Sequence, residues 1–276
     1  MSDDWTIDQR WSAYTADEHE VWRTLFKRQT ELLPGRACDT FIEGMKALPL
    51  SEHQIPDFRL INKTLLKLTG WQVVAVPGLV PDEVFFTHLA NRRFPAGQFI
   101  RRATQLDYLE EPDIFHDVFG HLPMLLNPIM ADFIQAYGLG GLRAQKLGVL
   151  KPLARVYWYT VEFGLVQQSD GLRIYGAGIA SSFSESRFCL EDASPNHLRF
   201  DLERVMRTEY RIDDFQESYF VLPDINSLLE LSRIDFAPFY QRIEGQPVIA
   251  PGTVVSTGEL IRKGTGAYHV NRLAPR

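Results

Sequence analysis

Cysteine is scarce in this chain: there are two in 276 residues, Cys38 and Cys189, far apart and in no C-x-x-C pattern. That excludes a disulfide framework or a zinc knuckle and favours a reducing compartment. No run approaches the ~18 apolar residues that a membrane span requires. The opening MSDDWTIDQRW is acidic and has no apolar stretch of the signal-peptide kind. A cytoplasmic protein with no membrane contact is the expectation. Positive charge is not in excess either, with 29 Lys and Arg against 35 Asp and Glu and a formal net charge of −6. The pairs Arg92–Arg93 and Arg101–Arg102 are too short to track a polyanion, so a nucleic-acid partner is not expected. There is no internal repeat and no low-complexity linker.

What is present is an ordinary globular composition, 45% hydrophobic and 23% charged. A chain this long can bury roughly three quarters of its unfolded surface in one domain. Thr15 and Glu18 form a capping box before Val21, Trp22, Leu25 and Phe26 at helical spacing, and Pro34–Gly35 stops that helix. Asp57 caps a second helix carrying Leu60, Ile61, Leu65 and Leu68. WQVVAV, residues 71–76, is β-branched and short, which predicts a strand, and PGLVPD then turns the chain. Asn127–Pro128 opens a helix that the glycines at 138, 140 and 141 are expected to end. Lys151–Pro152 starts the segment LARVYWYTVEFGLVQQ, read as an apolar helix. Strands at LRIYG and SYFVL, a helix near 201–208 and another after Asp224 follow. From Gly245 the chain is rich in Gly, Pro, Thr and Val without periodicity. The expectation is therefore one mainly α domain with a few short strands (α+β), residues 1–244, and a peripheral or loosely ordered tail, 245–276, that is no separate domain.

The stretch EPDIFHDVFGH, 111–121, places His116 and His121 five apart among phenylalanines and a valine. Pro112 suits a first helical turn, and Glu111 and Asp113 suit its positive end. On an ideal helix residues five apart point about 140° from each other. The two imidazoles therefore converge only if the backbone deviates between them, and Gly120 is where it can. Either histidine alone could be a core residue bonded to backbone. The spacing is not the H-E-x-x-H of zinc proteases.

Glu162 supplies a third candidate ligand. Between Arg155 and Asp170 it is the only charged side chain, in a segment apolar on almost every side. A carboxylate buried there must be protonated, paired (with Arg155, for instance) or on a metal. Two histidines and one carboxylate make the facial triad of non-haem Fe(II) oxygenases, which leaves coordination positions for O₂ and substrate. Zinc with an activated water, and hydrolysis, is the alternative, although no Glu or His stands in a zincin's general-base position.

At these residues the sequence resembles the aromatic amino acid hydroxylases, tetrahydropterin-dependent iron enzymes that act on Phe, Tyr and Trp. The matching segments are VAVPGLVPDEVFF, FIRRATQLDYLEEPDIFHDVFGHLP, VYWYTVEFGL, RIYGAGIASSFSES and FQESYFV. They recur in the family's order over most of residues 55–225. In length and wording the chain is most similar to the phenylalanine-acting bacterial members, which are little more than the catalytic domain. The resemblance assigns His116, His121 and Glu162 to Fe(II). It implies that Arg101 holds the substrate carboxylate, that Asp113 supports Arg101, and that Trp158 walls the amino-acid pocket. A bidentate guanidinium is the natural grip for a carboxylate. Ser181 is implied to orient an iron histidine, and Gly78 and Val80 to offer backbone contacts to the pterin. Phe85 would stack on the pterin ring, although its pattern also suits the core. Tyr157 and Phe94 fall near the site by the same resemblance, where either could simply be packing. Val221 matches a position where Phe enzymes carry Val and Tyr enzymes carry Asp.

Two departures stand out. Leu109 occupies a position where animal members have a hydroxyl, and Asp117 replaces a Glu that touches the pterin through water. The chain shows neither the family's N-terminal regulatory domain nor its long C-terminal coiled-coil helix, so a monomer acting on small molecules is expected. The implied reaction is hydroxylation of L-phenylalanine to L-tyrosine with O₂, Fe(II) and a tetrahydropterin, with tryptophan or tyrosine as the alternative substrate. A binding protein on a decayed hydroxylase fold is the third reading, and the intact His116, His121, Glu162 and Arg101 speak against it.

Overall fold

The computed structural model describes residues 4–107 and 111–273. Helices α1 (Ala16–Leu32), α2 (Asp39–Ala47) and α3 (Phe58–Leu68) come first. The Thr15 hydroxyl accepts from Glu18 N–H while the Glu18 carboxylate accepts from Thr15 N–H, closing the expected box. Asp57 caps α3 by accepting from Arg59 N–H. Strand β1 (Gln72–Val76) crosses through α4 (Asp82–Ala90) to β2 (Arg93–Gly97), which lies parallel to it in a two-stranded sheet.

Next come a single π-helical turn, His116–His121, and the short α5 (Leu122–Leu125). The long α6 (Pro128–Leu147) and α7 (Leu150–Tyr157) follow, and α7 runs directly into a second π turn, Trp158–Glu162. The chain then builds β3 (Leu165–Gln168), β4 (Gly171–Ile174), α8 (Ala177–Ala180), α9 (Phe183–Glu191), β5 (Asn196–Arg199), α10 (Leu202–Arg207), β6 (Ser218–Leu222), α11 (Ser227–Leu231), α12 (Ala237–Ile243), β7 (Leu260–Arg262) and α13 (Ala267–Leu273). The second sheet has the order β4-β3-β6-β5-β7, with β6 parallel to both its neighbours. The domain is mainly helical with a few strands, and among the described residues no helix is long and apolar enough to cross a membrane.

Three expectations need correction. The glycines at 138 and 141 do not end α6, which runs on to Leu147 and stops at Gly148 in the left-handed region, φ 71°. They serve close packing instead: a Cβ on Gly138 would lie 2.4 Å from Ala90 N, and one on Gly141 2.1 Å from the Phe86 ring. Each glycine costs roughly 1 kcal/mol of helix propensity, offset here by the approach of α4. The apolar segment after Lys151 is not one helix either. It breaks after Glu162, where the Gly164 carbonyl accepts from Tyr175 and Gly176 N–H, and its last residues enter the sheet as β3. Finally, the aperiodic stretch after Gly245 is not loose. It lays β7 antiparallel to β5 and returns α13 to the body, with His269 buried.

The core explains the phenylalanines around the two histidines. Phe115, Val118 and Phe119 are fully buried. Phe115 stacks on Phe119 at 4.8 Å between centroids and meets Trp22 of α1 edge-on at 5.4 Å. One side of the π turn is core, and the other carries the imidazoles.

Candidate metal centre and amino-acid cleft

A π turn closes i→i+5 hydrogen bonds, so residues five apart come onto one face, which a regular α-helix denies them. That is how His116 and His121 meet: their Nε2 atoms are 3.2 Å apart. Gly120 is not the hinge that the spacing suggests, because the whole turn is widened. It is the point of closest approach, where a Cβ would lie 2.8 Å from the Ala177 carbonyl oxygen of α8. The second π turn shows its i→i+5 bond directly, Phe163 N–H to the Trp158 carbonyl at 2.8 Å, and ends on Glu162. Glycine at 178 leaves room for that carboxylate, since a Cβ there would be 3.2 Å from Glu162 Oε2.

Glu162 Oε1 is 3.2 Å from His121 Nε2, and Oε2 is 3.6 Å from His116 Nε2. Among the described residues, these three form the group able to share a metal ion, their ligand atoms all within 4.8 Å of one another. Ser181 Oγ donates to the Ala177 carbonyl at 2.9 Å, so its proton is committed. The His116 Nδ1 that lies 2.9 Å from the same oxygen must therefore be the donor, which turns the Nε2 lone pair toward His121 and Glu162. A lone pair of the His116 imidazole and a Glu162 carboxylate oxygen thus converge on one point beside the His121 Nε2, the donor set a cation takes. Ligand atoms about 2.1 Å from a shared ion lie about 3.0–3.4 Å from each other, close to the spacing here. The residues present fit a metal ion.

The electrostatics agree. Burial alone would raise the Glu162 carboxyl, but His121 and then His116 outweigh it and hold it below the ordinary carboxylate range. Burial pushes His116 down to about 4, so the imidazole is neutral and free to ligate. Asp117 is not one of the three candidate ligands and accepts from Gly97 N–H at 2.7 Å, and burial pushes its carboxyl up to about 7.

A cleft of roughly 590 Å³ opens beside the three ligands, lined among others by Arg101, His116, Trp158, Glu162 and Ser181. Arg101 and Asp113 are paired at its wall, with Nε to Oδ2 at 2.8 Å and Nη2 to Oδ1 at 2.9 Å. Asp113 is fully buried and also accepts from the N–H groups of Arg101 and His116. Burial works against its charge, yet the Arg101 guanidinium prevails and holds the carboxyl below its usual value. One guanidinium edge is thus spent on Asp113. The other carries the remaining Nη donors, one of which, among the described residues, reaches the Leu106 carbonyl at 3.5 Å.

The structure does not bring all the expected residues into this cleft. Val221 is buried in the middle of β6 and is not among the side chains lining it, so direct contact with a substrate ring is not supported. Gly78 and Val80 lie in the turn after β1, where Leu79 N–H reaches Glu111 Oε1 at 3.3 Å. Phe85 is half-buried and sits edge-on to Tyr157 at 5.9 Å, and the Tyr157 ring lies parallel to His121 at 6.4 Å. Phe94 is buried 4.7 Å from His121. Leu109 falls outside the described residues. Sequence reasoning missed Gln216 and Glu185, both in the cleft wall: Gln216 Oε1 accepts from Trp158 Nε1 at 3.2 Å, and its N–H donates to Glu185. Both lay inside quoted segments, Glu185 in RIYGAGIASSFSES and Gln216 in FQESYFV, but no pattern singled either out. Nothing in the tail's sequence announced Tyr268 and Arg272 as lining residues.

Comparison with known proteins bears on all of this. Residues 10–243 match the family model described as the biopterin-dependent aromatic amino acid hydroxylases. The chain is 61% identical over 265 residues to the phenylalanine-4-hydroxylase of Caulobacter vibrioides, covering 96% of this chain and 90% of that protein. It is 56% identical to the Ralstonia nicotianae phenylalanine-4-hydroxylase over 95% of this chain and 84% of the other. Among solved structures it is similar to the iron- and phenylalanine-bound phenylalanine hydroxylase from Chromobacterium violaceum, with a TM-score of 0.89 and 50% identity over 93% of this chain and 94% of that one.

Proposed function

The chain belongs to the biopterin-dependent aromatic amino acid hydroxylases, and from that premise we propose how its residues divide the work. It is a pterin-dependent iron monooxygenase that converts L-phenylalanine to L-tyrosine. Its cofactors are Fe(II) and a tetrahydropterin. His116, His121 and Glu162 would hold the iron. Once bound, the two cofactors would supply the activation of O₂ that ring hydroxylation requires.

The remaining work belongs to the protein and is mostly placement. Arg101, steadied by Asp113, offers its free guanidinium edge to the amino-acid carboxylate. Trp158 stands beside Glu162 in the cleft and sets the plane of the substrate ring. Ser181 keeps His116 in the ligating tautomer. We assign the pterin to Gly78, Val80, Phe85 and Asp117. Val221 acts on the ring pocket from behind the lining side chains. The observation that carries this reading is the juxtaposition of three converging ligand atoms with a half-satisfied guanidinium in one cleft.

We also read the protein as a cytoplasmic monomer acting on small molecules alone. The net charge of −6 offers nothing to nucleic acid, and both cysteines are free and buried. The test is aerobic turnover with Fe(II), a tetrahydropterin and each aromatic amino acid in turn. Phenylalanine should have the highest kcat/KM and tyrosine the lowest, and Trp158→Phe should move the ratio toward tryptophan. An apolar pocket discriminates ~10–200-fold against an added hydroxyl or methylene. A wild-type preference for tryptophan or tyrosine defeats the assignment.

A further inference from the structure

Two of the residues lining the cleft, Tyr268 and Arg272, lie beyond the matched family span, and they touch a loop that lies within it. Loop 211–216 carries Gln216, and the amide of that side chain is held on every side. Its Oε1 accepts from Arg211 N–H at 3.1 Å and from the Trp158 indole, and its Nε2 donates to the Arg211 carbonyl at 2.7 Å. The indole itself lies flat against Tyr210, 4.2 Å between centroids and 14° between planes. The orientation of Trp158 is therefore tied to where this loop sits.

What seats the loop is α13. Tyr268 packs against Phe215 in a tilted pair at 5.3 Å and meets Phe188 at 5.0 Å, and its hydroxyl donates to Asp214 Oδ1 at 3.0 Å. Arg272 pairs with the same carboxylate, Nε to Oδ2 at 3.4 Å. His269 Nε2 donates to the Phe215 carbonyl at 2.8 Å and is buried. The helix is itself moored: Tyr268 N–H donates to Ser194 Oγ, and Gly264 N–H to Asn196 Oδ1. Tyr268 and Arg272 also line the cleft. Three side chains on the tail, Tyr268, His269 and Arg272, thus grip Asp214 and Phe215, immediately before the residue that holds the substrate wall.

We infer that the C-terminal helix α13 is a positioning element of the amino-acid cleft: through Tyr268, His269 and Arg272 it seats loop 211–216, and through Gln216 it sets the Trp158 indole. The inference rests on the reading of Trp158 as the ring wall. The tail then governs affinity for the amino acid and selectivity among aromatic rings, and leaves the chemistry at the metal alone. No candidate ligand lies on α13 or on loop 211–216, and none of the contacts above is made to a ligand side chain.

The experiment compares wild type, Tyr268→Ala, Tyr268→Phe and Trp158→Ala, with the double variant Tyr268→Ala/Trp158→Ala, as iron-loaded enzyme with saturating tetrahydropterin. Tyr268→Ala should raise the KM for phenylalanine about five- to tenfold with kcat within about twofold, the pattern of lost binding. Its calorimetric Kd for phenylalanine should rise in step, while iron content, pterin KM and melting temperature stay near wild type. Tyr268→Phe keeps the ring packing and should recover most of the affinity. In the Trp158→Ala background, Tyr268→Ala should add little, because residues acting through one contact are non-additive. An unchanged KM in Tyr268→Ala overturns the proposal. So does an equal rise in both backgrounds, or a parallel loss of kcat and iron. Trp158→Ala by itself reads the underlying assignment: if it leaves phenylalanine binding intact, the ring wall has been misplaced and the route through Trp158 goes with it.

Discussion

Replacing Arg101 by alanine should produce two effects of different size that can be measured apart. The first is on stability. Arg101 and Asp113 form a buried bidentate pair, with side chains 9% and 0% exposed. Removing one partner of a buried pair costs ~3–5 kcal/mol, because the other charge stays buried. Asp113 keeps two backbone donors, Arg101 N–H at 2.9 Å and His116 N–H at 3.0 Å, which favours the lower end of that range. At roughly 2–4 °C per kcal/mol for a domain of this size, the melting temperature should fall by about 6–20 °C. The second effect is on binding. Losing the partner of a desolvated carboxylate costs ~2–5 kcal/mol, or about 30-fold to several thousand-fold in kcat/KM for phenylalanine. The pterin KM should move far less. Phenethylamine, which lacks the carboxylate, separates the two effects: Arg101→Ala should handle it nearly as wild type does at a temperature where both are folded. If the variant keeps the wild-type KM for phenylalanine, or loses phenylalanine and phenethylamine equally, Arg101 is not the carboxylate grip.

Three other outcomes follow from the same geometry. His116→Ala, His121→Ala and Glu162→Ala should each weaken iron binding and abolish hydroxylation while leaving a folded domain; metal analysis and circular dichroism read this, and stoichiometric iron with normal turnover in all three would sink the site. Gly120→Ala should cost ~1–3 kcal/mol by overpacking against the Ala177 carbonyl and should impair iron binding by shifting His121; a wild-type urea midpoint with full iron content would show that the close approach does not constrain the turn. Glu185 is raised by burial from 4.5 to about 7, with the Tyr219 hydroxyl and Gln216 N–H offsetting part of the rise. The folded state therefore holds that proton more tightly than the unfolded one, so its contribution is present below pH 4.5 and lost as pH rises to about 7, on the order of 3 kcal/mol. Glu185→Gln, which keeps an acceptor for Tyr219, should flatten that fall between pH 5 and 7.5, and an unchanged slope in urea titrations would refute it.

Much of the site was legible in the order of residues. Caps and first turns, such as Thr15 with Glu18, Asp57 and Asn127, are decided by donors and acceptors within four residues, so they read directly. The candidate ligands were legible because a lone carboxylate in an apolar run and two imidazoles among phenylalanines are costly unless something compensates them. Tertiary structure alone decided how they meet. A π turn is unfavourable locally, and it persists here because Phe115 and Phe119 lock one side into the core against α1 while α8 presses on Gly120. The same holds for Gly138 and Gly141, which break an isolated helix but, under α4, let two helices touch. Gln216, Glu185 and Tyr268 carried no local pattern, because each acts on partners 31 to 58 residues away in the chain, brought together only by packing.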